Sequence, residues 1–208
     1  MHDQVMERAT FATRHDFDVL PRSAEIEVQP ARRSDLPALA DMGNRLVPGV
    51  QIAEPDLERY FIYDAESILT FRRNQKLLGA VAFIYFDRRG HEALLSGDID
   101  LNRPDLGLLT DRSEEVAAIY VWAIVGRGRA MAGLGNVSTF LSQKRFVLAN
   151  IYAHAASADG LSLMTALGFE PLPYSRRELW RYERPWNRSL PTMSPFGFSV
   201  ASFADAWH

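Results

Sequence analysis

The chain has 208 residues, 47% hydrophobic and 24% charged, which is enough apolar material for one domain with its own core and excludes wholesale disorder. A formal net charge of −3 provides no general attraction for nucleic acid or an anionic membrane, and the lack of cysteine excludes disulfides, thiolate catalysis and cysteine-ligated metal centres. No stretch approaches the roughly 20 apolar residues of a membrane-spanning helix, and the first twenty residues carry scattered charge instead of a signal peptide's apolar run; the expected setting is the cytoplasm.

Residues 1–24 show no period and read as a lead or strap, followed by a domain over 25–184 and a tail over 185–208 rich in Pro, Ser, Trp and Phe. IEVQPA (26–31) alternates as a half-buried strand does. Ser34 or Asp35 then offers an N-cap and Pro37 suits a first helical turn, with Leu36, Leu39, Ala40, Met42 and Leu46 at helical spacing. Residues 55–63 read as a second short helix with Leu57, Tyr60 and Phe61 on one side. SILTFRR (67–73) and KLLGAVAFIYFD (76–87), separated by Asn74-Gln75, read as an antiparallel hairpin.

The acidic stretch 88–115, broken by Gly90, Gly97, Pro104 and Gly107, reads as an irregular insertion holding at most a short strand in ALLSGDIDL. VAAIYVWAIV (116–125) is an almost unbroken apolar run, as a central strand covered on both faces should be. The glycine-rich GRGRAMAGLG (126–135) leads into a helix reaching about Lys144. A strand is expected over 145–155, a helix over 160–167 stopped by Gly168, and a last alternating strand within 174–184. This order predicts an α/β domain with one mixed, mostly antiparallel sheet flanked by helices.

A strand that enters a glycine-rich turn and then a helix is a natural anion site, because the first helical amides have no internal partners and glycine lets a phosphate approach. Read from the residues alone, a tight packing turn is the plainer account. A nucleotide P-loop is absent, and Gly126-Arg127-Gly128-Arg129-Ala130-Met131 lacks the third glycine of a dinucleotide fingerprint.

Further along, ASADGLSLMTALGFEPL (156–172) resembles the segment that closes the GNAT superfamily of N-acetyltransferases, where a helix ends in Leu167-Gly168-Phe169. The superfamily's loop R/Q-x-x-G-x-G/A then falls on Ala130-Met131-Ala132-Gly133-Leu134-Gly135. The resemblance covers roughly residues 26–184 and lies in the order and separation of loose motifs. It implies an acyl-CoA donor, most simply acetyl-CoA, and an amine acceptor, with no metal. Ile124 and Val125 would offer backbone to the pantetheine near the thioester. Arg127, Arg129, Ala130, Met131, Ala132, Gly133, Leu134, Gly135 and Asn136 would surround the pyrophosphate. The pattern also departs from the family: position 130 is alanine, Ser157 stands where asparagine is frequent, and Met164 occupies the place of the tyrosine that protonates the leaving thiolate.

Direct transfer needs a neutral amine near the thioester and an exit for its proton. His154 is the candidate base or relay, with Ser157 and Tyr152 behind it. A strand histidine at a half-exposed position is the plainer account of His154, and groove packing is that of Tyr152. Tyr120 and Trp122 share a strand face and read as aromatic packing or a cleft wall. Glu114 and Glu115 read as a solvated strand entrance. Arginines 176, 177, 181, 184 and 188 interleave with Trp180, Tyr182 and Trp186, which a final strand explains without nucleic acid. A longer-chain acyltransferase of the acyl-homoserine-lactone or N-acyl-amino-acid synthase type, and an acyl-CoA-binding module without turnover, stand as alternatives. The tail packs on the sheet or on a second subunit, so a homodimer stays open.

Overall fold

A computed structural model describes residues 23–184 apart from 48–50, 111, 113, 127, 174, 176 and 177. The expected lead and tail therefore lie outside the described residues, as do Arg127 and the side chain of Arg129. The chain builds one seven-stranded sheet from β1 (Glu27–Pro30), β2 (Ile68–Arg73), β3 (Lys76–Phe86), β4 (Ala118–Gly126), β5 (Asn150–Ala153), β6 (Glu170–Pro171) and β7 (Trp180–Tyr182), in the spatial order β1-β2-β3-β4-β5-β7-β6. Every neighbouring pair is antiparallel except β4 and β5. That agrees with the mixed, mostly antiparallel sheet expected.

The hairpin of β2 and β3 turns on Asn74 and Gln75, both with positive φ (50° and 64°), the two-residue geometry whose twist matches that of the strands. Helices α1 (Leu36–Leu46) and α2 (Glu54–Tyr63) cover one half of one sheet face, on Ala80, Ala82 and Val125. The other half of that face, with Ile84, Phe86, Tyr120 and Tyr152, lies under the segment that follows β3. On the opposite face α4 (Gly133–Leu141) and α5 (Ala158–Ala166) bury Leu134, Val137, Leu141 and Met164 against Phe71, Val81, Ile119 and Ile151.

Three expectations need correction. Residues 88–96 are not irregular: α3 (Arg88–Ser96) starts where the Asp87 carboxylate accepts from the Gly90 amide at 2.6 Å and ends at Gly97 in the left-handed region, φ 77°. The strand expected in ALLSGDIDL is thus partly helix, because an N-cap and a C-terminal glycine outweigh a weak β pattern. The strand expected over 145–155 shrinks to β5, since 142–149 is taken up by turns that carry Arg145 to Asp64 (2.7 Å) and Glu66 (3.1 Å). The last strand, expected within 174–184, shortens to β7, and it pairs with β6, a two-residue strand at 170–171 that was not expected.

Candidate functional site

The register of the sheet creates the site. β4 pairs with β3 along its whole length, from Ala118 to Gly126, but with β5 only from Ala118↔Asn150 to Val121↔Ala153. Beyond that point the two parallel strands part, and β4 continues as one lip of a fork. Its burial records the change: Ile119 is wholly buried, whereas Val121, Trp122, Ala123 and Ile124 are half-buried in what should be the middle of the sheet. A backbone edge opened in this way has donors and acceptors to offer an extended ligand.

The fork coincides with a β-bulge. Ala82 pairs with Ala123 and Phe83 with Val121, so Trp122 is the extra residue on β4. The bulge resets the alternation, and Trp122 and Ala123 both pack against the α1–α2 side. Trp122 meets Tyr60 of α2 with ring centroids 5.5 Å apart. Burial pushes the Tyr60 phenol up to about 12, so it stands as a neutral hydroxyl, donating to the Asn102 carbonyl at 3.1 Å.

At the open end of β4 the chain turns through Gly126 (φ 152°) and Gly128 (φ 57°), conformations that L side chains rarely adopt. A 3-10 turn over Gly128–Ala132 then feeds α4, whose N-cap residue Ala132 supplies no side-chain cap. The 3-10 turn runs into α4 without a break, and the glycines that bare its backbone at the mouth of an open strand edge suit the approach of a phosphate. Gly133 has a second reason to be glycine: a Cβ there would stand 2.6 Å from the Phe71 ring. The packing and anion readings of this loop are therefore compatible.

The expected site residues do not all serve as foreseen. Ile124 and Val125 line the open half of β4, Ile124 half-buried and Val125 buried. Ala130, Leu134 and Gly135 are buried, with Met131 and Ala132 partly buried beside the core, so these five offer a ligand main chain and not side chains. Asn136 is engaged elsewhere: its side-chain amide donates to the carbonyls of Ser23 (2.9 Å) and Ile26 (2.7 Å), fastening the entry to β1 onto α4. Ser157 is the N-cap of α5, accepting from the Gly160 amide at 3.1 Å, a structural role that accounts for its side chain. Met164 is buried among Leu167, Phe169 and their neighbours, so no proton donor stands at that position.

Two tyrosine–histidine pairs gather near the fork. Tyr120, in the last paired part of β4, has its hydroxyl 2.9 Å from His154 Nδ1, just beyond the end of β5. The pair thus bridges the two strands where they separate. Beside it Tyr152, the register partner of Tyr120, is buried with its hydroxyl 2.8 Å from His91 Nε2 on α3. Burial raises the Tyr152 phenol and lowers His91, keeping both neutral. Sequence reading placed Tyr120 and Tyr152 on strand faces but did not join Tyr120 to His154; the parallel register of β4 and β5 does so. His91 carried no signal at all. Among the described residues no group of His, Asp and Glu forms a metal-ligand set, and no helix is long and apolar enough to cross a membrane.

No protein-family model matches the chain, and no curated protein matches it by sequence. Solved structures do. The loading GNATL domain of CurA from Lyngbya majuscula superposes with a TM-score of 0.54 at 13% identity, over 76% of this chain and 97% of that one. GphF, a GNAT-like decarboxylase solved with isobutyryl-CoA, is similar at TM-score 0.47 and 15% identity over 61% of this chain, which spans 64% of its length. Arabidopsis thaliana Naa50, solved with a bisubstrate analogue containing CoA, gives 0.47 and 14% over 76% of this chain and 96% of that one. The chain has the GNAT fold, and the family resemblance read from its motifs holds at that level.

Proposed function

We propose that the protein transfers an acyl group from acyl-CoA to an amine by direct attack, acetyl being the simplest group to fit. The parting of β4 and β5 after Val121 and Ala153, next to the glycine-bared turn that runs into α4, carries this reading. In it the pantetheine lies along the free edge of residues 122–126, and the pyrophosphate meets the backbone of that turn. The acceptor enters over Trp122 and Tyr60. Its nitrogen attacks the thioester carbon, the carbon–sulfur bond breaks, and His154 takes the proton the nitrogen sheds. Tyr120, hydrogen-bonded to the same ring, gives its hydroxyl proton to the departing thiolate and recovers one from His154, so no net proton is consumed within the pair.

A second reading is an acyl-CoA-binding module without turnover, favoured by the burial of Met164 in the core. One pair of measurements separates the two. Calorimetric titration with CoA and acetyl-CoA tests the donor site, and thiol release with amino acids, peptides, polyamines and aminoglycosides tests transfer. Binding with amine-dependent thiol release supports the enzyme. Binding without release across the panel supports the module, and absence of CoA binding removes both.

A further inference from the structure

Apart from the fork, an apolar cavity lies on the α1–α2 side of the sheet. Its floor is Ala80 and Ala82 of β3 with Ala123 and Val125 of β4, and Leu39 of α1 and Leu57 of α2 stand in its roof. Its origin is plain in the register. Ala82 faces Ala123 and Ala80 faces Val125 across the two strands, while on the same face further along the strands carry Ile84, Phe86 and Tyr120. The helices rest on their own large residues and do not descend into the space left above the alanines.

We propose that this cavity takes the hydrocarbon tail of the donor acyl group, making the protein a transferase for short acyl chains longer than acetyl. The inference rests on the donor reading of the fork and adds the identity of the acyl group. Position argues for it: Trp122, Ala123 and Val125, on the edge that carries the donor in that reading, form one wall of the cavity, so a tail leaving the carbonyl on this face enters it directly. Chemistry selects the tail over the acceptor. Every lining side chain is apolar apart from the indole N–H of Trp122, and an amine or amide buried there would go without partners. The proton-handling pair, Tyr120 and His154, lies on the far side of Trp122, where an acceptor nitrogen belongs. Size sets the limit: about 20 Å³ of free space suits about one methyl group, so the end of a propionyl group fits and a long straight chain does not.

The test is calorimetric titration of the full chain with CoA and with acetyl-, propionyl-, isobutyryl-, hexanoyl- and octanoyl-CoA. Affinity should rise about fourfold from acetyl to propionyl, for the one methyl group buried, level off at isobutyryl, and fall by octanoyl. Ala82→Leu should abolish the gain for propionyl and isobutyryl while leaving CoA and acetyl-CoA unchanged. Leu57→Ala, which enlarges the space, should move the optimum towards hexanoyl and reports independently if Ala82→Leu fails to fold. Flat or declining affinity beyond acetyl would overturn the proposal and leave the donor site standing. A chain-length preference that neither variant alters would likewise overturn it, placing the tail elsewhere. Failure of CoA itself to bind would defeat the donor reading, and this inference with it.

Discussion

Replacing Tyr120 by phenylalanine removes one hydroxyl and leaves a buried ring in place, so it separates chemistry from packing. The hydroxyl sits 2.9 Å from His154 Nδ1, and the phenol is only 6% exposed. Losing one such hydrogen bond should cost about 0.5–1.5 kcal/mol of stability, a modest fall in the urea midpoint. If the pair moves protons in the transition state, the rate penalty is larger: general acid–base catalysis contributes about 10²–10⁴-fold, and a hundredfold loss is about 2.7 kcal/mol of barrier. His154→Gln should lower kcat by a similar factor. Because two members of one relay do not act independently, the double variant should be little slower than the worse single one. Thiol release at saturating donor and acceptor measures the rates, and urea melts measure stability. Should both single variants keep kcat within about twofold of the parent, well below the usual general acid–base contribution, while losing stability, the pair is structural and the mechanism is wrong.

Other sites give sharper tests of structure. Gly133→Ala places a Cβ 2.6 Å from the buried Phe71 ring and should cost about 1–3 kcal/mol despite the better helix propensity of alanine; a urea midpoint at or above the parent's would refute the close approach. Ser157→Ala should cost about 1 kcal/mol with thiol release retained, and Ser157→Asp should restore the stability, whereas lost activity at unchanged stability would return Ser157 to the catalytic set. His91 is held below its ordinary value of 6.5 by burial, against a smaller opposing pull from Glu92. Its contribution is therefore complete above about 6.5 and is lost as the pH falls through the folded-state value. His91→Gln should narrow the difference in unfolding free energy between pH 7.5 and pH 5, and an unchanged difference would mean that His91 does not titrate with folding.

Strong local signals were legible in the sequence. The Asn74-Gln75 hairpin, the first two helices, the apolar run of the central strand and the Leu167-Gly168-Phe169 helix end each reflect short-range chemistry. Gly168 indeed takes a positive φ of 84°. The helix at Arg88–Ser96 had its two punctuation marks, Asp87 and Gly97, in plain view, but acidic and glycine-rich neighbours masked them. Residues 142–149 read as strand because Phe146 and Val147 are β-formers; tertiary demand overrode propensity there, since Arg145 must reach the buried Asp64.

The site was legible in outline only, for a physical reason. Alternation along one strand tells which side chains share a face, yet it is silent about which strand lies next door and where pairing stops. Those two facts make the fork. They also explain why the departures from the family pattern need not disable the site. A leaving thiolate requires a proton donor within reach of its sulfur, not on a particular helix. With Met164 sunk in the core beneath α5, that requirement falls on the opposite face, where the only tyrosine–histidine contact spanning both strands at the fork, among the described residues, is Tyr120 with His154. The bulge at Trp122 links this pair to the donor, because it ends the regular pleat one residue after the last β5 partner and so turns the thioester-bearing edge towards the same face. Deleting Trp122, which straightens the bulge at the inner end of the donor edge, should weaken CoA binding and abolish thiol release together, as this arrangement requires; retention of both would break the link.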